Sequence, residues 1–144
     1  MQRFVLDTNI IVSALIWGGA PYQLLQAAVA GEIVLFTSPA LLDELRGVLY
    51  RAHLASRLAQ QRSSVDEALR RYGELAVEVV PLATPRIVPR DPDDDHVIAC
   101  AVAAHAHLIV SGDRHLLDLE AVDHIAIVTA GQALALIGQQ RAPN

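Results

Sequence analysis

The chain contains no lysine: all eleven basic residues among its 144 are arginines, set against sixteen aspartates and glutamates. Cys100 is its single cysteine, which excludes an internal disulfide framework and fits a reducing compartment. No apolar run approaches the ~18 residues that span a bilayer, because Asp7, Gly31, Glu32 and Gly112 break the candidates. Asp7 also cuts short the first apolar stretch, so the N-terminus does not read as a signal peptide. A cytoplasmic location with no membrane partner is the expectation. There is no glycine-rich phosphate loop and no Ser-His-Asp arrangement, which argues against nucleotide-cradling and serine-hydrolase chemistry.

What is present is apolar: 53% of the residues are hydrophobic and mean hydropathy is +0.34. This fits either a surface patch covered by a partner or second copy, or simply an alanine-rich chain. The length suits one domain, expected over residues 1–138, with 139–144 as a flexible tail.

Short β-rich runs alternate with helical stretches. Strands are expected at 3–7 (RFVLD), 32–38 (EIVLFTS), 77–82 (VEVVPL), 108–113 (LIVSGD) and 124–129 (HIAIVT). Helices are expected between them, including one from Ser38, with Pro39 at its first position, and one from about Asp93 to Ala106. Residues 54–76 read as one or two exposed helices broken near Ser63-Ser64, and 83–92 as a proline-punctuated loop. The alternation predicts an α/β fold: a three-layer α/β/α sandwich with a mostly parallel five-stranded sheet.

Sites in such sheets form outside the carboxyl ends of the strands. Asp7 ends the first strand and Asp113 follows the fourth, so the two can face one another. In the helix after Ser38, Leu41, Leu45, Val48, Leu49 and Ala52 form an apolar stripe; Glu44 lies at its edge and Asp43 nearly opposite. The run DPDDD holds Asp91, Asp93, Asp94 and Asp95. Val97, Ile98, Ala101 and His105 lie on the face of Asp94, which makes Asp94 the acid aimed inward. Asp95 is turned about 100° away, while Asp91 and Asp93 serve the helix start. His105 and His107 diverge on a helix, His53, His96 and His124 read as surface residues, and Cys100 as a buried small hydrophobe. Trp17, before Gly18-Gly19, reads as the edge of a core rather than a base-stacking platform.

Asp7, Glu44, Asp94 and Asp113 in one pocket would concentrate about four negative charges. With no lysine to compensate, divalent cations are the natural partners, and oxygen-only ligands suit Mg²⁺ or Mn²⁺. Two such ions about 4 Å apart can activate water and stabilise a leaving oxygen in phosphodiester hydrolysis. Setting these four charges aside takes the net charge from −5 to −1, which no longer argues against a nucleic-acid substrate. Arg46, Arg51, Arg90 and Arg114 lie near the acids in sequence and are candidate phosphate contacts.

The stretches FVLDTNIIVSAL, SPALLDELRGVL and DPDDDHVIACAVAAHAHLIVSGDRHLL, in that order along nearly the whole chain, resemble the PIN-domain family. The similarity is greatest to the bacterial PIN ribonuclease toxins of toxin–antitoxin modules. The resemblance implies a metal-dependent endoribonuclease acting on single-stranded RNA, or structured RNA, with an antitoxin protein as partner and a homodimeric state. It places the site acids at Asp7, Glu44, Asp94 and Asp113, with Asn9 and Ser111 in support. A one-residue shift at the helix start exchanges Asp94 and Asp95, so both stay open here. The alternatives are an RNA-processing nuclease outside such a module and a non-catalytic RNA- or protein-binding module of the same fold. Two other readings fall behind. A haloacid-dehalogenase-like phosphatase needs an acid where Asn9 stands and lacks its lysine; a phosphoreceiver domain lacks its lysine too.

Overall fold

The computed structural model describes residues 1–82 and 92–141, and the side chains of all of these except Pro92, Asp93 and Arg141. Strand β1 (Gln2–Leu6) is followed by helices α1 (Thr8–Ile16) and α2 (Gly19–Val29), then β2 (Ile33–Thr37). Helices α3 (Pro39–Leu49), α4 (Ala52–Gln60) and α5 (Val65–Leu75) lead to β3 (Val77–Glu78). Helix α6 (Pro92–Ala103), β4 (Leu108–Val110), the four-residue α7 (Arg114–Leu117), β5 (Ala121–Val122), β6 (Ile125–Val128) and α8 (Ala130–Arg141) complete the described chain.

The sheet runs in the order β3-β2-β1-β4-β6-β5. Every neighbouring pair is parallel except β5 with β6. This is the expected α/β sandwich with one correction: six strands rather than five. The extra strand is two residues long and pairs Val122 with Ile125 across a tight turn in which Asp123 adopts φ 53°. The third strand pairs only at its first two residues. Helix α8 runs into the segment expected to be a tail.

Strand periodicity builds two cores. Phe4 and Leu6 of β1, Leu35 of β2 and Leu108 and Val110 of β4 face α1–α5 and α8. Val5 and Ile109, on the alternate positions, face α6, α7 and Leu41 of α3. With helices on both faces, the central strands are buried on both sides, which is why they read as continuous apolar runs. On α3, Leu41, Leu45 and Leu49 are buried as expected. Ala52, assigned to the same stripe, instead opens α4 and is exposed.

Helix α6 ends three residues before the expected Ala106. His105 takes φ 51°, its N–H bonds the Val102 carbonyl, and the Ala106 N–H reaches back to the Ala101 carbonyl. That pair of bonds closes a helix C-terminus around a left-handed residue, a place usually held by glycine. His105 and His107 therefore lie beyond the helix rather than on it. Trp17 is also corrected: it is 60% exposed, not a core edge. No single helix among the described residues is long and apolar enough to cross a membrane.

Candidate active site

The carboxyl ends of β1 and β4 lie side by side, tied by the Asp7 N–H, which donates to the Val110 carbonyl at 3.0 Å. Asp7 is the N-cap of α1, its Oδ1 accepting from the Ile10 N–H at 3.1 Å. Its Oδ2 accepts from the Ser111 hydroxyl. That same hydroxyl oxygen accepts from the Asp113 N–H at 2.9 Å, and Asp113 in turn caps α7 by accepting from the His115 N–H at 2.7 Å. Ser111 therefore locks the two strand-end acids into one network. It can do so because it is fully buried between β4 and β6, its own N–H held by the Val128 carbonyl.

Asp7 is 5% exposed. Burial holds its carboxyl above the usual range, with the like charge of Asp113 acting in the same direction. The Ser111 hydroxyl and the Ile10 and Asn9 N–H groups oppose that shift. A buried carboxylate raised in this way gains from a cation beside it.

A cavity of about 40 Å³ opens at this point, lined by Asp7, Thr8, Asn9, Glu44, Asp94, Val97 and Asp113. Glu44 arrives from the half-buried edge of α3, one turn beyond Leu41. Asp94 arrives from the first turn of α6, with Val97 one turn further on the same face. Asp95 is buried in full and does not line the cavity. Thr8, which sequence reasoning passed over, is a buried wall of the cavity, and its hydroxyl oxygen has no hydrogen-bond partner among the described residues. The one sequence signal for it is its place directly after a strand-end acid.

Among the described residues, no three His, Cys, Asp or Glu side chains are already gathered as a metal site. The four acids line walls around a small space rather than converge on a point, an arrangement that their mutual repulsion favours. As a donor set they are all carboxylate oxygens, which fits a hard divalent cation and not a thiolate- or imidazole-seeking one.

The arginines distribute unevenly. Arg51 lines a larger groove of about 530 Å³ that shares Glu44 with the acid cavity and also contains the half-buried His96. Arg46 turns to another groove, 3.7 Å from Asp66. Arg114 is exposed at the start of α7, beside Asp113. Arg90 and Asp91 lie outside the described residues, as does the side chain of Asp93.

Comparison with known proteins bears on this arrangement. None of the curated proteins compared matches the chain. The family model described as PIN domain matches residues 3–115, a span that includes β1, β4 and all four cavity acids. PIN domains are generally nucleases, commonly acting on RNA, and generally use divalent metal ions. A parallel sheet with acids at the ends of two adjacent strands and a family match over well more than half the sequence lead to one assignment: the chain belongs to the PIN domain family.

Proposed function

We propose that this protein is a Mg²⁺- or Mn²⁺-dependent endoribonuclease that hydrolyses phosphodiester bonds of single-stranded RNA. The observation that carries the reading is the cavity lined by Asp7, Glu44, Asp94 and Asp113 at the strand ends of a PIN domain. When bound there, a divalent cation supplies Lewis acidity at the scissile phosphodiester and makes an attacking water more acidic. The chain's own residues prepare that step. The Ser111 hydroxyl and the Ile10 N–H fix both oxygens of Asp7, so its carboxylate does not reorganise during reaction. The His115 N–H does the same for one oxygen of Asp113. Glu44 and Asp94 close the cavity from the two helices, and Asn9 and Thr8 add polar walls. Arg51, in the adjoining groove, offers a planar cation to a neighbouring phosphate.

Within this reading, the protein is the toxin of a toxin–antitoxin module. The order and content of its three sequence stretches support this. An apolar groove of about 810 Å³ between α1, α2 and α5, with Tyr22, Leu25 and Val29 on its walls, gives an antitoxin or second copy apolar surface to cover. A small antitoxin-like gene beside this one, whose product silences the activity, is the expected companion.

The test is cleavage of varied single-stranded RNAs with Mg²⁺ or Mn²⁺, with EDTA and Asp7→Asn as controls. Cleavage by the wild type, stopped by EDTA and absent in Asp7→Asn, is expected. Equal inertness of wild type and variant across RNAs and both metals would overturn the reading.

A further inference from the structure

Charge is distributed unevenly along this chain. Residues 45–65 hold Arg46, Arg51, Arg57 and Arg62 and no acid, in a protein whose net charge is −5. This stretch includes α4, which buries Leu54 and Leu58 and turns Arg51, His53 and Arg57 to solvent. Arg51, Arg57 and Arg62 make no ion pair among the described residues, whereas Arg70 and Arg71 of α5 are held by Glu67 and Glu74. Among the described residues, no acid holds the exposed Arg51 at the N-cap of α4 or the exposed Arg57 along it.

Two ends of this exposed surface are fixed by structure. At its start, Arg51 sits in the groove that shares Glu44 with the acid cavity. At its far end, the Gln61 side-chain amide donates to the Ile16 carbonyl at 3.0 Å, clamping the end of α4 to the end of α1. That clamp brings the Arg57 guanidinium over the Trp17 ring, 4.4 Å from its centroid. Trp17 is held at a corner: Gly18 and Gly19, at φ 89° and 69°, turn α1 into α2 at 91°. Even with Arg57 over it, Trp17 is 60% exposed. A large aromatic left open in this way, stacked with a cation and near arginines that make no ion pair among the described residues, has the composition of a single-strand nucleic-acid platform. From Arg51 to Arg57 the path along α4 is about 9 Å.

We propose that the exposed surface from Arg51, at the N-cap of α4, past Arg57 to Trp17 is a track for single-stranded RNA that holds the strand leading away from the acid cavity. Arginines contact phosphates and one base stacks at Trp17. The proposal rests on the RNA substrate inferred above and adds where the strand runs. An acidic protein segment is the other class of ligand that such a face could attract; the exposed aromatic and planar cation favour RNA, because every base offers a π-face to them.

Trp17 is the only tryptophan, so its fluorescence reports the contact directly. The wild-type protein is titrated with a short oligouridylate in EDTA, by tryptophan quenching and by anisotropy of labelled RNA. Quenching is expected on binding. Trp17→Ala should weaken affinity about tenfold while Trp17→Phe largely keeps it. Arg57→Gln should lower the slope of log affinity against log salt by about 0.7, the single-strand value for one phosphate contact. Unchanged affinity and salt slope in Trp17→Ala and Arg57→Gln, alongside RNA cleavage by the wild type, would overturn the track and leave the nuclease reading standing. Normal quenching by RNA without cleavage under Mg²⁺ or Mn²⁺ would do the reverse. Quenching by polyglutamate as strong as by RNA, or no RNA binding at all, would also overturn the track.

Discussion

Asp7→Asn separates a catalytic acid from a structural one, because the substitution keeps shape while removing charge. Asparagine caps a helix as well as aspartate does, so the bond from the Ile10 N–H survives. The other oxygen becomes an amide nitrogen, which must donate to a Ser111 hydroxyl that already accepts from Asp113. A hydroxyl oxygen can accept twice, but the buried Ser111 hydroxyl proton then loses its acceptor, so the cost is about 1–3 kcal/mol. Against this stands the relief of a buried carboxylate. Its folded pKa lies above the usual 3.8, so the native state binds the proton more tightly than the unfolded chain. The resulting stability is fully present below the unfolded value and is lost as pH rises through the folded one. In EDTA the two opposing effects predict a variant melting within about 4 °C of the wild type. The wild type's relative stability should fall as pH rises from about 3 towards neutrality. Mg²⁺ then discriminates between the two proteins. At ten times its dissociation constant it should stabilise the wild type by about 1.4 kcal/mol, or about 4 °C, and Asp7→Asn far less. Differential scanning calorimetry from acid to neutral pH, with and without Mg²⁺, reads all three quantities. A loss above about 3 kcal/mol in EDTA, the scale of a broken buried network, or an undiminished Mg²⁺ shift in the variant, would refute this reasoning.

Three further outcomes follow from the same structure. Asp94→Asn should reduce RNA cleavage by about a hundredfold or more, while Asp95→Asn, outside the cavity, only slows it; equal losses in a single-turnover assay would remove the distinction between them. Tyr72→Phe should raise stability by about 1 kcal/mol in urea titration, because the buried Tyr72 hydroxyl has no partner among the described residues; destabilisation would contradict this. Burial pushes the Cys100 thiol up to about 12, so iodoacetamide at pH 8 should label it only after unfolding, and rapid labelling of the native protein would contradict that.

Much of this was legible in residue order, and the exceptions have identifiable causes. Asp7 and Asp113 could be read because the first directly follows an apolar β run and the second follows another across Ser111-Gly112, and strand ends are where parallel sheets build sites. Helical spacing set Asp94 on the face of Val97 and Ile98 but left Glu44 only at the edge of the Leu41–Leu45 stripe, where the family resemblance singled it out; the structure puts both on the cavity wall. Asp95 marks the limit of that method: a wheel turns it away from Asp94, but it does not reveal that α6 is enclosed on that side as well. Thr8 was missed because nothing in a threonine's identity says it will be walled in. The end of α6 was misread because His105 takes a left-handed conformation that sequence signals assign to glycine or asparagine. The edge strand β5 is two residues long, too short for alternation to register. The Trp17–Arg57 contact joins residues from two helices whose docking no local pattern encodes.

The central claim is that Asp7, Glu44, Asp94 and Asp113 hold a divalent cation. Titration with Mn²⁺, following the loss of the free-ion electron paramagnetic resonance signal, tests it most directly. The wild type should bind Mn²⁺ in competition with Mg²⁺, and Asp7→Asn and Asp113→Asn should each weaken that binding about tenfold or more. Equal Mn²⁺ binding by the wild type and both variants, or no binding by the wild type even with RNA present, would contradict it.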